Sequence, residues 1–227
     1  MPIIIGIAGK LGVGKNWYSE QVVGDLLQQL DKKWIPMAFA NQLKINTIVK
    51  NGISFDSVFH EKTKSSRELL QKEGVLAREI SPSVWLDYLN CWIKVYESAG
   101  FDHVILTDVR FKNELEYVKS RNGIVVKIVA PKRNESRLMA ETLGDTDAMK
   151  KISSNISECD LDEIPDNQFD IVISNDPGEL EKAQAQKQFA SVYPEFEDRK
   201  TPHLSEAVYG FFGMSILLYF VFSQLVR

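Results

Sequence analysis

Residues 2–30, PIIIGIAGKLGVGKNWYSEQVVGDLLQQL, change backbone character twice in quick succession. Residues 2–8 form an almost unbroken apolar run, the pattern of a strand buried on both faces. Residues 9–14 are rich in glycine, which suits a turn with φ values that other residues avoid. Residues 16–30 then place Trp17, Val22, Val23, Leu26, Leu27 and Leu30 at helical spacing. Strand, glycine-rich loop and helix together open a parallel α/β domain.

The loop, Gly9-Lys10-Leu11-Gly12-Val13-Gly14-Lys15, matches G-x-x-x-x-G-K. Backbone N–H groups can wrap a phosphate only where the chain adopts unusual dihedrals, hence the glycines. The helix N-terminus adds partial positive charge, and the lysine adds a full one. Between a strand and a helix, the motif predicts nucleotide phosphate binding by Gly9, Lys10, Gly12, Val13, Gly14 and Lys15. Asn16 stands where Ser or Thr commonly ligates Mg²⁺, and its amide oxygen can serve directly or through water.

Further apolar runs at 103–107, 123–130 and 169–173 read as strands, with a shorter one at 34–39. Between them, 40–51, 64–80, 83–98, 112–121, 132–152 and 179–190 read as helical, and 52–61 as a loop. Ser65 or Ser66 serves as the cap of 64–80. Trp85, Leu89, Trp92 and Tyr96 line one side of 83–98. The expected fold is α/β, three layers (α/β/α) around a mostly parallel sheet, with ligands beyond the carboxyl ends of the strands.

Three groups of residues fall at those ends. Asp108 follows the strand 103–107 and is a natural partner for Mg²⁺ and its waters, or else a cap for the helix 112–121. Arg110 can reach a phosphate bidentately. Lys132, Arg133 and Arg137 follow the strand 123–130, as a basic lid over phosphates or as a solvent-facing helix. Lys44, Lys62, Lys64, Arg67 and Arg78 alternate with glutamates, which reads as a solvated face or as cations for an acceptor phosphate. Asn175 and Asp176 close the last strand, beside the expected position of the adenine.

Composition narrows the function. The 227 residues carry 27 Lys+Arg against 31 Asp+Glu, a net charge of −4, which argues against a dedicated nucleic-acid binder. Two cysteines, Cys91 and Cys159, are too few for a disulfide framework, and three scattered histidines make no metal cage. The beginning of the chain lacks the pattern of a signal peptide.

The far end differs. Residues 208–226, VYGFFGMSILLYFVFSQLV, carry no charge and approach the ~20 apolar residues that span a bilayer. They read as a membrane-spanning helix or as a helix packed in protein. Residues 191–207 read as a linker, and residues 1–190 as the catalytic domain. If the tail spans lipid, Arg199 and Lys200 before it favour a cytoplasmic domain.

Five stretches together resemble the deoxynucleoside monophosphate kinases of bacteriophages and large DNA viruses, with animal phosphomevalonate kinases as a more distant likeness. They are GIAGKLGVGKN (6–16), FANQLK (39–44), SSRELLQKEGVLAR (65–78) with Trp85 following, VILTDVRFKNELEYVKSRNGIVVKIVAP (104–131), and ISSNISECDL (152–161) with FDIVISNDPGEL (169–180). The resemblance covers about residues 1–185. It implies ATP and Mg²⁺ as cofactors and a dNMP as substrate. It also implies acceptor contacts from Lys44, Lys64, Arg67, Gln71, Arg78, Trp85 and Glu158. Catalytic roles would fall to Lys15, Asp108, Arg110, Arg133 and Arg137, and Mg²⁺ binding to Asn16 and Asp108. The residue after the loop lysine is usually Asp in that family, where this chain has Asn16. Asn155 stands where the family often has histidine, while Ser157 and Glu158 match. The hydrophobic tail has no counterpart there.

Overall fold

A computed structural model describes residues 1–61 and 63–193, with Lys64 described by its backbone alone. The chain divides into a compact unit, Met1–Val192, and a second unit, Tyr193–Arg227. The hydrophobic helix expected at 208–226 lies outside the described residues, as does nearly all of the expected linker. Among the described residues, no helix is long and apolar enough to cross a membrane.

Among the described residues the five strands are β1 (Ile3–Ala8), β2 (Trp34–Met37), β3 (His103–Val109), β4 (Ile124–Val129) and β5 (Ile171–Ser174). They form one sheet in the order β2-β3-β1-β4-β5, and every pairing is parallel. Central placement explains the unbroken apolar run at the start of the chain. Ile4, Ile5, Ile7 and Ala8 are at most 1% exposed, because β1 has a strand on each side and packing on each face. Burying each isoleucine contributes about 1.5–3 kcal/mol.

The chain leaves the phosphate loop as one helix in three parts. These are α1 (Lys15–Trp17), a π-helical stretch (Tyr18–Gly24) and α2 (Asp25–Gln29). Tyr18, Val22, Val23, Leu26, Leu27 and Leu30 form the buried face, while Trp17 is 38% exposed. Trp17 therefore does not join the core as its spacing predicts.

The remaining helices are α3 (Ala40–Asn51), α4 (Phe55–Phe59), α5 (Lys64–Ile80), α6 (Val84–Ser98), α7 (Lys112–Ser120), α8 (Pro131–Thr142), α9 (Thr146–Ser153), α10 (Ile156–Cys159) and α11 (Lys182–Ala190). Three local expectations are corrected. The segment read as a loop at 52–61 contains α4, whose cap is Ser54 accepting the Ser57 N–H at 3.2 Å. The cap of α5 is Thr63, which accepts the Ser66 N–H at 3.2 Å, so neither Ser65 nor Ser66 caps it. On α6 the buried stripe is Trp85, Leu89 and Ile93, while Trp92 is 40% exposed. A true i, i+4, i+8 stripe excludes Trp92. Leu43 of α3, Trp85, Leu89 and Ile93 of α6, and Leu115 and Val118 of α7 join Met37, Phe39, Val104 and Leu106 in one apolar core.

Candidate active site

The loop glycines take positive φ values, +147° at Gly9, +83° at Gly12 and +98° at Gly14. Gly14 is the most constrained. A Cβ there would stand 2.3 Å from the Asn175 side-chain nitrogen. That nitrogen donates to the Val13 carbonyl at 2.8 Å, so the end of β5 braces the loop from behind. Lys15 Nζ folds back onto the loop, donating to the carbonyls of Gly9 at 2.8 Å and Lys10 at 2.7 Å. Burial, then the charge of Arg110, lowers its pKa to about 7. A buried ammonium bonded only to neutral carbonyl oxygens is a receptor for an anion. The Lys10 side chain does not face this site. It pairs with Asp162 at 2.8 Å and lines a separate cavity behind the loop.

In front of the loop lies a cleft of about 740 Å³. Lys15 and the exposed Asn16 enter it from the loop, and Asp108 and Arg110 from the end of β3. Arg67, Gln71 and Arg78 enter from α5, and Lys44 from α3, with Trp85 in the floor. Lys44 Nζ lies 4.7 Å from the centre of the Phe59 ring. Residues scattered from 15 to 158 thus share one space. The side chain of Lys64 lies outside the described residues.

Asp108 accepts the N–H of Phe39 at 2.8 Å and of Ala40 at 3.0 Å. It therefore caps α3, not the following helix as the alternative reading has it. The start of α7 is served by Glu114, a residue missed in the sequence. Glu114 accepts the N–H of Arg110 at 2.8 Å and of Phe111 at 3.2 Å, and an Arg78 guanidinium N–H at 3.3 Å. Burial, with the nearby charge of Asp108, pushes its pKa up to about 8. The Arg78 guanidinium also lies 3.8 Å from the centre of the Phe111 ring. Glu114 thus fixes Arg78 and the Asp108–Arg110 turn together. Its one signal in the sequence is the glutamate three residues after a helix start.

The start of α8 lies against the loop. Asp176 accepts the N–H of Lys132 at 3.1 Å and of Arg133 at 2.9 Å, which starts α8 and aims it. An Arg133 guanidinium nitrogen lies 3.4 Å from where a Gly14 Cβ would stand. Arg137 crosses Gly12 and reaches 3.9 Å from Glu158. Lys132 instead turns outward to Glu179, at 3.2 Å. Glu141 bonds both Arg137, at 3.1 Å, and Arg67, at 3.0 Å, bridging the lid to α5.

Glu158, expected on the acceptor side, lies against the loop. It accepts the Leu11 N–H at 3.0 Å and forms a short ion pair with Arg110. Arg110 also donates to the Ser157 carbonyl at 3.2 Å. Asn155 caps α10, accepting the N–H of Ser157 at 3.0 Å and its hydroxyl at 2.9 Å.

Among the described residues, no group of three or more His, Cys, Asp or Glu side chains is placed to hold a metal ion alone. Asp108 and Asn16 in the shared cleft fit a different arrangement. One carboxylate, one amide, water and a substrate phosphate suit Mg²⁺, which usually keeps several waters.

No protein-family model matches the chain, and no curated protein matches it. Solved structures do. The chain is similar to dephospho-CoA kinase from Campylobacter jejuni, at 14% identity and TM-score 0.47, over 88% of this chain and 100% of that one. It is similar to shikimate kinase from Aquifex aeolicus, at 16% identity and TM-score 0.38, over 82% and 93%. It is also similar to the APS kinase of Mycobacterium tuberculosis solved with AMPPNP and APS, at 14% identity and TM-score 0.40, over 83% and 95%.

Proposed function

We propose that this chain is an ATP-dependent kinase that transfers the γ-phosphoryl group to a phosphorylated small molecule, a deoxynucleoside monophosphate. The observation that carries the reading is the shared cleft. The phosphate loop with Lys15 lines it together with Arg67, Arg78 and Arg110. A phosphoryl-transfer site needs cations for donor and acceptor in one water-poor space, and little other chemistry from the protein. The acceptor class follows from the resemblance in residues 65–78 and 104–131, not from the cleft alone.

Lys15 and the loop N–H groups hold the donor phosphates. Arg133 and Arg137 cover them and exclude water. Arg78, fixed by Glu114 and Phe111, receives the acceptor phosphate, and Arg67 assists. Arg110 neutralises charge on the group in transfer. Mg²⁺, held near Asn16 and Asp108, would supply charge neutralisation on the donor phosphates.

The test is ADP release by the full chain with ATP, Mg²⁺ and each of the four dNMPs in turn, with phosphomevalonate alongside. Turnover with a dNMP, lost in Lys15→Ala, supports the reading. Turnover with phosphomevalonate alone moves the acceptor class. ATP binding with no acceptor-dependent turnover defeats the kinase reading and leaves a nucleotide-binding module, for which Asn16 and Asn155 are the motivating departures.

A further inference from the structure

We infer that Glu158 is the resident anion of the phosphate loop, a positioning residue that gives up the loop and Arg110 when a phosphate chain arrives. The inference rests on the phosphate-binding reading of that loop. Four observations carry it.

The Glu158 carboxylate takes the bonds a ligand anion would take. One oxygen accepts a loop N–H, that of Leu11, and the other accepts from the Arg110 guanidinium. Its surroundings are cationic. Arg137 stands 3.9 Å away, and Lys15 lines the same cleft as Glu158. The side chain is only 7% exposed, so its charge acts in a poorly screened space. It also has somewhere to go. Glu158 and Arg110 line both the cleft and the cavity of about 530 Å³ behind the loop, so the pair forms the partition between them.

Two like anions cannot share that position at low cost. A polyphosphate entering the loop repels the carboxylate and competes for Arg110. Glu158 then retreats toward the rear cavity, and Arg110 turns to the bound phosphates. The empty site is thereby kept neutral and ordered, and Arg110 is delivered only when the donor is in place.

Calorimetric titration of the full chain with tripolyphosphate tests this. Glu158→Gln keeps one of the two acceptor oxygens that Leu11 and Arg110 use and removes the charge. It should bind tripolyphosphate at least about threefold more tightly, and the gain should shrink as KCl rises. Glu158→Asp keeps the charge but is too short to reach Leu11, and should also tighten binding. Thermal melts confirm that each variant is folded, and one folded variant suffices for the test. Affinity unchanged or weakened in the folded variants overturns the inference while the phosphate-loop reading stands. If the unaltered chain binds no tripolyphosphate, or Lys15→Ala binds it equally well, the loop reading fails and this inference with it.

Discussion

The carboxylate of Asp108 accepts the backbone N–H of Ala40 at 3.0 Å, so the aspartate that faces the cleft from β3 is also what starts α3. Two demands meet on one side chain. Asp108→Ala removes a helix cap and should lower stability by about 0.5–2 kcal/mol, as well as abolishing turnover. Asp108→Asn keeps one acceptor oxygen and should recover most of that stability while turnover stays low. Thermal unfolding beside ADP release separates the roles, and a full return of activity in Asp108→Asn would remove the proposed Mg²⁺ role.

Lys15 should take up a proton when a polyphosphate binds. Its pKa of about 7 in the empty protein lies below the ordinary value of about 10.5. A bound phosphate restores the charged form. Above pH 7 binding is therefore coupled to proton uptake, and affinity should fall as pH rises. Titration calorimetry in buffers of different ionisation enthalpy measures the uptake directly. The same shift acts on folding. Between about pH 7 and the unfolded lysine's higher pKa, the unfolded chain binds more protons, so this residue makes stability rise with pH in that window.

Glu114 has the opposite sign. Its pKa of about 8 stands above the ordinary 4.5, so the folded chain holds the extra proton and stability falls as pH rises between those values. Glu114→Gln should flatten that slope. It should also raise the KM for the acceptor more than the KM for ATP, because an amide replaces the carboxyl group that holds Arg78. Equal effects on both substrates would detach Arg78 from the acceptor.

Asn175→Asp tests the brace behind the loop. Aspartate cannot donate to the Val13 carbonyl and adds a negative charge beside the phosphate site. ATP affinity should fall by about tenfold or more, and the melting temperature should fall as well, because a buried carboxylate would face an unpaired carbonyl. Gly14→Ala should be more severe, since its Cβ meets Asn175 at 2.3 Å in a conformation that alanine rarely adopts.

The sheet was legible in the sequence because parallel strands buried on both faces are written as continuous apolar runs, as at Ile3–Ala8 and His103–Val109. The loop glycines and Lys15 were legible because their chemistry is local. What escaped depends on contacts between distant residues. Nothing near Glu114 reports that Arg78 will lie against it, and nothing near Asp176 reports that it starts the helix carrying Arg133 and Arg137. The motif places the Lys10 backbone at the site and leaves its side chain free to find Asp162.

The hydrogen bond from Asn175 to Val13 joins positions separated by 162 residues. The motif that names this site is complete once residue 15 has left the ribosome, yet its brace arrives only with the last strand of the sheet. A nascent chain short of residue 175 therefore carries the whole nucleotide signature without a finished pocket. On the proposed function, nucleotide would therefore stabilise the braced loop only in chains synthesised past residue 175, late in biosynthesis.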